Sequence, residues 1–423
     1  MKLTSRLSGT RKLITPTFLC LWLIMFLVEF VKGSLIVVIL PVYMGSVLQL
    51  STFAIGLSFS LQYIGDNVFR SPAGWLIERI GFRITMVVGL IVTFLAVALI
   101  AFTSSVGFIV LGCALLGVGT APLWPCVMMG ITSVTKSNNN FGTAMGIIQM
   151  STLGGTGAGP VVMNFFPQGS YHIVFWILLI CLALNIVVAF FLPGRKQEIH
   201  VLSNQSATRT EGNGKRGILG AWSRLKGTIK HIRQHLDVHP LLYPALFLQS
   251  FAIGLLTPVI TLYILNVLKM SSQAYSALLV VGGAVTVLGL IPVGKLSDRF
   301  GTKWFLHIGF ALSAFAVGLF AMTRSIPTVW LAVLLIGVSY ACILPTWDTM
   351  ISHTLPESEK GTVWGFFLTI QGSGMVAGPI VSGKLWDVLG PSSPFLGSAI
   401  VMAILFVIHI ILARHQAPVK VPA

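Results

Sequence analysis

Acidic side chains are the scarcest chemistry in this chain. Its 423 residues carry 11 Asp and Glu against 27 Lys and Arg, and charged residues of either sign make up 9%. Soluble domains run near a quarter charged, so that class is excluded. Cysteine is sparse too: Cys20, Cys113, Cys126, Cys181 and Cys342 all lie inside apolar runs. They have no metal-ligand spacing and read as small buried hydrophobes, so no metal site is expected. Also missing are the short alternating segments of a transmembrane β-barrel. What remains is apolar. Hydrophobic residues make up 55% of the chain, in recurring runs of about 20, each long enough to cross a bilayer core as a helix. The predicted fold class is an all-α polytopic membrane protein.

The first run, "FLCLWLIMFLVEFVKGSLIVVILPVY" (Phe18–Tyr43), is too long for the apolar core of a signal peptide, and no A-x-A-type site follows it. It is read as a retained first helix. The formal charge of +16 is unevenly placed. Lys2, Arg6, Arg11 and Lys12 precede helix 1, a dense basic set runs from Arg195 to Arg233, and the alternate loops hold Lys269 and Arg324. This is the positive-inside pattern, which predicts cytoplasmic termini and a cytoplasmic middle loop. The basic excess thus orients the chain and meets anionic lipid, and no nucleic-acid partner is implied.

Twelve spans are predicted, at 16–42, 53–78, 83–104, 107–131, 141–165 and 171–192, then 241–266, 273–297, 303–323, 327–353, 361–387 and 393–413. They form an N-terminal six-helix bundle over 1–192 and a C-terminal one over 241–423, joined by a cytoplasmic linker, 193–240. Within the linker, Ile218, Trp222, Leu225, Ile229, Ile232 and Leu236 recur at helical spacing among Arg224, Lys226, Lys230 and Arg233. That pattern predicts an amphipathic helix over about 218–239 on the inner membrane surface.

The halves repeat each other. "GWLIERIGFR" from Gly74 is echoed by "GKLSDRFGTK" from Gly294, "YMGSVLQLS" from Tyr43 by "YILNVLKMS" from Tyr263, and Gly117-Val118 with Pro125 by Gly337-Val338 with Pro345. All three pairs share one separation, which marks a duplicated six-helix unit. Parallel repeats of this kind build transporters with the substrate site at the repeat interface.

Gly74, Glu78, Arg79, Gly81 and Arg83 resemble the G-x₃-D-R/K-x-G-x-R/K signature of the major facilitator superfamily, and Gly294, Asp298, Arg299, Gly301 and Lys303 repeat it. The resemblance implies twelve helices, alternating access and a cytoplasmic latch formed by these residues. Glu78 departs from the usual Asp. Gly146, Gly155, Gly159 and Pro160 in helix 5 share the spacing of Gly365, Gly374, Gly378 and Pro379 in helix 11. Small residues let helices approach and proline loosens the backbone ladder. The helix 5 spacing resembles the superfamily's antiporter motif, but Met163-Asn164 stands where a Gly-Gly pair would follow. Cys113 stands where drug antiporters carry an arginine, which counts against ordinary drug efflux.

Glu29 and Lys32 lie one turn apart in helix 1, and Asp66 and Arg70 one turn apart in helix 2. A lone charge at bilayer centre costs roughly 2.5–3.5 kcal/mol, so the four are expected to face one another or a wet cavity. The repeat-equivalent positions hold Gln249, Ala252, Thr286 and Leu290, so the charges are not part of the shared scaffold. One reading is a static salt-bridge network. The other is proton coupling, with Glu29 and Asp66 as carriers and Lys32 and Arg70 tuning them. Trp124 and Trp347 near helix prolines, with Asp348, are candidate substrate contacts, and Gln149, Gln249 and Gln371 are further polar candidates. Each Trp is equally explained by packing.

The acid and cation in helix 1, the acid in helix 2 and a tryptophan in helix 4 also resemble the proton-coupled glycolipid flippases of lipoteichoic-acid assembly. The function expected is proton-coupled antiport, by a monomer needing no cofactor, of a small amphipathic, drug-like or lipid-like solute across a bacterial inner membrane. A glycolipid flippase and a proton-coupled sugar or metabolite importer are the alternatives. A membrane-embedded enzyme would need a nucleophile–base or metal set at one depth, and none is visible. "GLIPVGKLS" from Gly289 approaches a P-loop, but Leu296 stands where Ser or Thr is required, so an ATP-driven pump is disfavoured.

Overall fold

A computed structural model describes residues 15–135, 141–166, 171–193, 239–353 and 360–415. The predicted linker helix over about 218–239 lies outside the described residues, apart from His239. Twelve helical segments follow one another among the described residues: α1 Pro16–Val47, α2 Thr52–Ile80, α3 Phe82–Phe102, α4 Val106–Thr120 continued by Leu123–Thr135, α5 Phe141–Met163 and α6 Tyr171–Phe190, then α7 Leu242–Val267, α8 Ser272–Phe300, α9 Thr302–Met322, α10 Ile326–His353, α11 Lys360–Leu389 and α12 Ser393–His415. Nine of these are long and apolar enough to cross a membrane. The charged α2 and the glycine-rich α5 and α11 carry lower mean hydropathy.

Helix α1 starts where Thr15 accepts a hydrogen bond from the Phe18 N–H at 3.2 Å, with Pro16 at the first helical position. Proline is tolerated there because that N–H has no helical partner. Leu21, Ile24, Met25 and Val28 fall at i, i+3, i+4 and i+7, with Val31 one turn on, and all are buried, the pattern of a helix facing a core. Around Pro41 the helix widens into π turns at Ser34–Ile39 and Tyr43–Val47. A proline removes one ladder bond and crowds the preceding turn, and a wider turn relieves both.

The duplication is legible in backbone detail. Tyr263–Val267 in α7 is again a π turn, matching Tyr43–Val47. Both helices end identically: Leu48 N–H donates to the Tyr43 carbonyl and Leu268 N–H to that of Tyr263, and Gln49 and Lys269 adopt φ of 51° and 53°. Gly81 and Gly301, in the two copies of the α2–α3 and α8–α9 turn, adopt φ of 88° and 84°. Only glycine takes such angles without strain, so each glycine is required by the one-residue turn.

The chain forms two compact units. The first comprises Met1–Ser206, Thr257–Val280 and Pro379–Pro391, and the second Ala207–Leu256, Val281–Gly378 and Ser392–Ala423. The first unit therefore draws in the C-terminal part of α7, the start of α8 and the end of α11. Inside it, Asp387 of α11 accepts from the Thr52 and Phe53 backbone N–H groups at 3.2 and 2.9 Å. A carboxylate is favoured there because the first turn of α2 presents unspent donors and the positive dipole end. A Cβ on Gly56 would lie 2.0 Å from the Pro379 carbonyl, and one on Gly383 would lie 2.4 Å from that of Thr52. Backbone contact and carboxylate cap thus fasten α11 to α2. Asp387→Ala is expected to lower thermal stability by about 1 kcal/mol, as loss of a cap does, with Asp387→Glu milder. Thermal unfolding of the detergent-purified protein checks this, and equal midpoints for wild type and Asp387→Ala would deny the cap any weight.

Candidate functional site

The site is built where α1, α2, α4 and α5 approach closely. Along α5, Ser151, Gly155 and Gly159 are spaced by four, as are Trp22, Phe26 and Phe30 along α1, and the two rows run in register. Ser151 Oγ donates to the Trp22 carbonyl at 2.6 Å. A Cβ at Gly155 would stand 2.3 Å from the Phe26 carbonyl, and one at Gly159 would stand 2.3 Å from that of Phe30. Ridges four residues apart thus interlock with no side chain between the backbones. On α1 the rings of Trp22, Phe26 and Phe30 stack in succession. Helices α2 and α4 meet in the same manner: a Cβ on Gly117 would lie 1.9 Å from the Gln62 carbonyl and 2.9 Å from the Asp66 nitrogen.

On this frame stand the four intramembrane charges. Asp66 is buried, 9% exposed, and its Oδ2 pairs with Arg70 Nη2 at 2.9 Å and with Lys32 Nζ at 3.9 Å. Glu29 is not part of that ion pair network. Its Oε2 instead accepts from the Thr156 hydroxyl of α5 at 3.1 Å. The structure therefore brings three of the four charges into contact and gives the fourth a different helix as partner. The desolvation that four isolated charges would suffer is met by pairing for three and by a hydroxyl for the other.

At the equivalent places in the second half, Thr286 donates to the Gly282 and Gly337 carbonyls at 3.0 and 3.1 Å, Gln249 accepts from Ser250 at 3.2 Å, and Ala252 is buried. The same scaffold is there filled by neutral packing.

Two groups at the site escaped the sequence reading. Gln62, one turn before Asp66, is 2% exposed, and neither its Oε1 nor its Nε2 has a hydrogen-bond partner among the described residues. Its place one helical turn from an intramembrane acid is the signal that could have found it. Thr156 gave none, since its role depends on which helix α5 meets. Arg70 Nε likewise lacks a partner. Buried polar atoms left unspent in native interiors are uncommon, and cluster where water or a ligand is received.

The remaining candidates are placed as follows. Trp124 packs at the edge of the apolar cluster around Leu123, Cys126 and Val127, and Gln149 is exposed. In the second unit Trp347 is buried with its ring edge-on to Phe310 at 5.7 Å, next to an exposed Asp348. Gln371 is half-buried. His307 and His409, not singled out by sequence, pack ring to ring at 4.7 Å in that unit.

In the predicted latch, Gly74 meets nothing within 4 Å, Arg79 stacks its guanidinium on Trp75 at 4.2 Å, and Arg299 lies over Phe300 at 5.4 Å. Arg83 is half-buried, and Lys303 and Gly301 are exposed. The Glu78 and Asp298 side chains lie outside the described residues, as do the surroundings of Gly365. Of the helix 5 and 11 motif, Gly155, Gly159, Gly374 and Gly378 are close-packed, the last two against Phe247 and Gly254 of α7. Gly146 meets nothing within 4 Å.

The Major Facilitator Superfamily family model matches residues 21–235 and 242–423. A proton-coupled antiporter flippase LtaA of Staphylococcus saprophyticus is 25% identical over 405 residues, covering 93% of each chain. That of Staphylococcus epidermidis is 27% identical over 376 residues, covering 87% of each. Among solved structures, the nucleoside transporter NupG superposes with a TM-score of 0.76 at 14% identity, covering 95% of this chain and 100% of that one. A bacterial homologue of the human lysosomal transporter Spinster gives 0.72 at 15% identity, covering 95% and 98%. These two likenesses speak to the fold.

Proposed function

The chain belongs to the Major Facilitator Superfamily, and on that premise we propose that it is a proton-coupled antiporter moving an amphipathic, lipid-like solute out of the inner leaflet or cytoplasm. Its family and bacterial relatives fit a multi-pass transporter of a bacterial plasma membrane. The observation that carries the proposal is the charge asymmetry of the two repeats. Glu29, Lys32, Asp66 and Arg70 occupy positions that the second half fills with Gln249, Ala252, Thr286 and Leu290. A scaffold that folds without charge in one copy has charge in the other for a purpose beyond folding.

The chemistry follows from the contacts. Asp66 is an acid held between two cations. Protonating it frees Lys32 and Arg70, and removing the proton draws them back, so proton occupancy and local geometry are coupled. Arg70 retains an unspent Nε donor and Gln62 an unspent amide. Together they suit the polar head of a solute, and the stacked Trp22, Phe26 and Phe30 row offers an apolar flank for its tail. The matched relatives' names, which speak of proton-coupled flippases, support the same reading. With them go a proton gradient as driving force, no cofactor, a monomer, and termini on the cytoplasmic side as the Lys and Arg placement directs.

Reconstitution into liposomes tests this. With a fluorescent glycolipid in the membrane, an imposed pH gradient is expected to speed its movement between leaflets several-fold. Glu29→Gln is expected to abolish that acceleration. Rates that ignore the gradient in the wild type would overturn the coupled antiporter.

A further inference from the structure

We propose that Thr156 is the positioning residue of Glu29, a hydroxyl that follows the protonation of that carboxyl and carries the change into α5. The inference rests on the proton-coupled reading above and extends it to a helix that bears no charge.

The hydroxyl of Thr156 has one hydrogen and two acceptors within reach: Glu29 Oε2 at 3.1 Å and the Thr152 carbonyl at 2.9 Å. It can donate to one at a time. When Glu29 is ionised, the charge-assisted bond to the carboxylate is the stronger of the two. When Glu29 takes up a proton, the new O–H donates to Thr156 Oγ1, and the Thr156 hydrogen turns back to Thr152 within α5. No bond beyond hydrogen bonds changes, and the proton taken up stays on Glu29. The two states differ in whether α1 accepts from α5 or donates to it.

The backbone contact makes this exchange matter. A Cβ on Gly33 would lie 2.7 Å from the Thr156 carbonyl, and one on Gly155 would lie 3.2 Å from Glu29 Cβ. Neither helix can slide to accommodate a lost bond, because Gly155 and Gly159 leave no compressible side chain between them. Pro160 follows one turn later inside the same helix, and a helix carrying an interior proline is the more easily bent there.

The charged and titratable groups near Glu29 are Lys32 on its own helix, and Tyr63, Asp66 and Arg70 on α2. Helix α5 brings none. Cys126 of α4 and Cys181 of α6 pack in apolar clusters.

The test uses the full-length protein in lipid, with the infrared band of the protonated Glu29 carboxyl followed against pH and assigned by its loss in Glu29→Gln. Thr156→Val keeps the shape and removes the hydroxyl. Losing a donor to the carboxylate favours the protonated form, so its midpoint is expected to rise by about one pH unit, a tenfold change in proton affinity. Thr156→Ser is expected to restore the wild-type midpoint, with thermal unfolding alike in all three. An unmoved midpoint in Thr156→Val overturns the assignment, and so does a Thr156→Ser variant that shifts as far. Should Glu29→Gln still respond to a pH gradient in the liposome assay while Thr156→Val moves the band, the coupling reading fails and the positioning role stands. A lost gradient response with an unmoved band gives the reverse.

Discussion

Gly155→Leu is expected to leave little folded protein, whereas Gly146→Leu in the same helix is expected to behave as wild type. A Cβ at residue 155 would stand 2.3 Å from the Phe26 carbonyl and 3.0 Å from the Phe30 nitrogen, while nothing lies within 4 Å of one at residue 146. The obstructing atoms are backbone of a buried helix, so no rotamer change relieves them. Overpacking a well-filled interior costs about 1–3 kcal/mol, and a branched side chain between two helix backbones falls at the upper end or beyond. Helix–helix contacts in lipid depend on van der Waals packing, with no hydrophobic drive to compensate a lost fit. Size-exclusion profiles and thermal unfolding of the two variants give the answer. A monodisperse, stable Gly155→Leu would mean that α1 and α5 are not in backbone contact. The comparison also separates a motif from its parts, since Gly146 shares the spacing with Gly155 and Gly159 but not their packing.

The second large effect belongs to Asp66. Asp66→Ala is expected to abolish gradient-driven movement of the fluorescent glycolipid and to cost about 2 kcal/mol of stability. Asp66→Asn should lose the same transport while keeping more of the fold. Removing one member of a fully buried ion pair costs 3–5 kcal/mol because the other is left uncompensated. The Arg70 side chain is 36% exposed, so water screens part of that loss and the lower figure applies. Lys32, at 3.9 Å from Asp66, and Arg70 would then be like charges that have lost the carboxylate they share. Thr286→Val, at the equivalent place in the second half, breaks neutral bonds to the Gly282 and Gly337 carbonyls and should cost no more than about 1 kcal/mol, with transport retained. If Asp66→Asn still accelerates lipid movement under a pH gradient, the ion triad is a structural brace and the proton path lies elsewhere.

Legibility in the sequence followed the range of the physics. Helix α9, predicted at 303–323 and found at Thr302–Met322, depends on local apolar content and on Gly301 at its N-terminal cap, both visible along the chain. So does the duplicated turn, because a one-residue reversal between two helices demands positive φ and hence Gly81 and Gly301. The charged residues were equally visible, since an intramembrane acid is costly wherever it points. Their grouping was not. Glu29 and Lys32 were read as members of one set, and the structure adds Thr156 of α5 as the hydrogen-bond partner of Glu29, a contact set by which helix lies beside α1 and written nowhere along the chain. Asp387 was not among the residues the sequence singled out, and its role as a cap on α2 comes from a contact across most of the chain.

Composition and spacing alone determined that this is a helical membrane protein of two like halves, with Glu29, Lys32, Asp66 and Arg70 inside the spans of the first and no charge at the matching positions of the second. Those properties follow from the bilayer's demand for apolar length and from the cost of each charge within it. The tertiary structure alone decided which glycines bring backbones together, which acid pairs with cations and which leans on a hydroxyl, and where α11 fastens to α2. These depend on the orientation of neighbouring helices, and helix orientation is set by many weak contacts summed over distant segments, none of which is written at any single position.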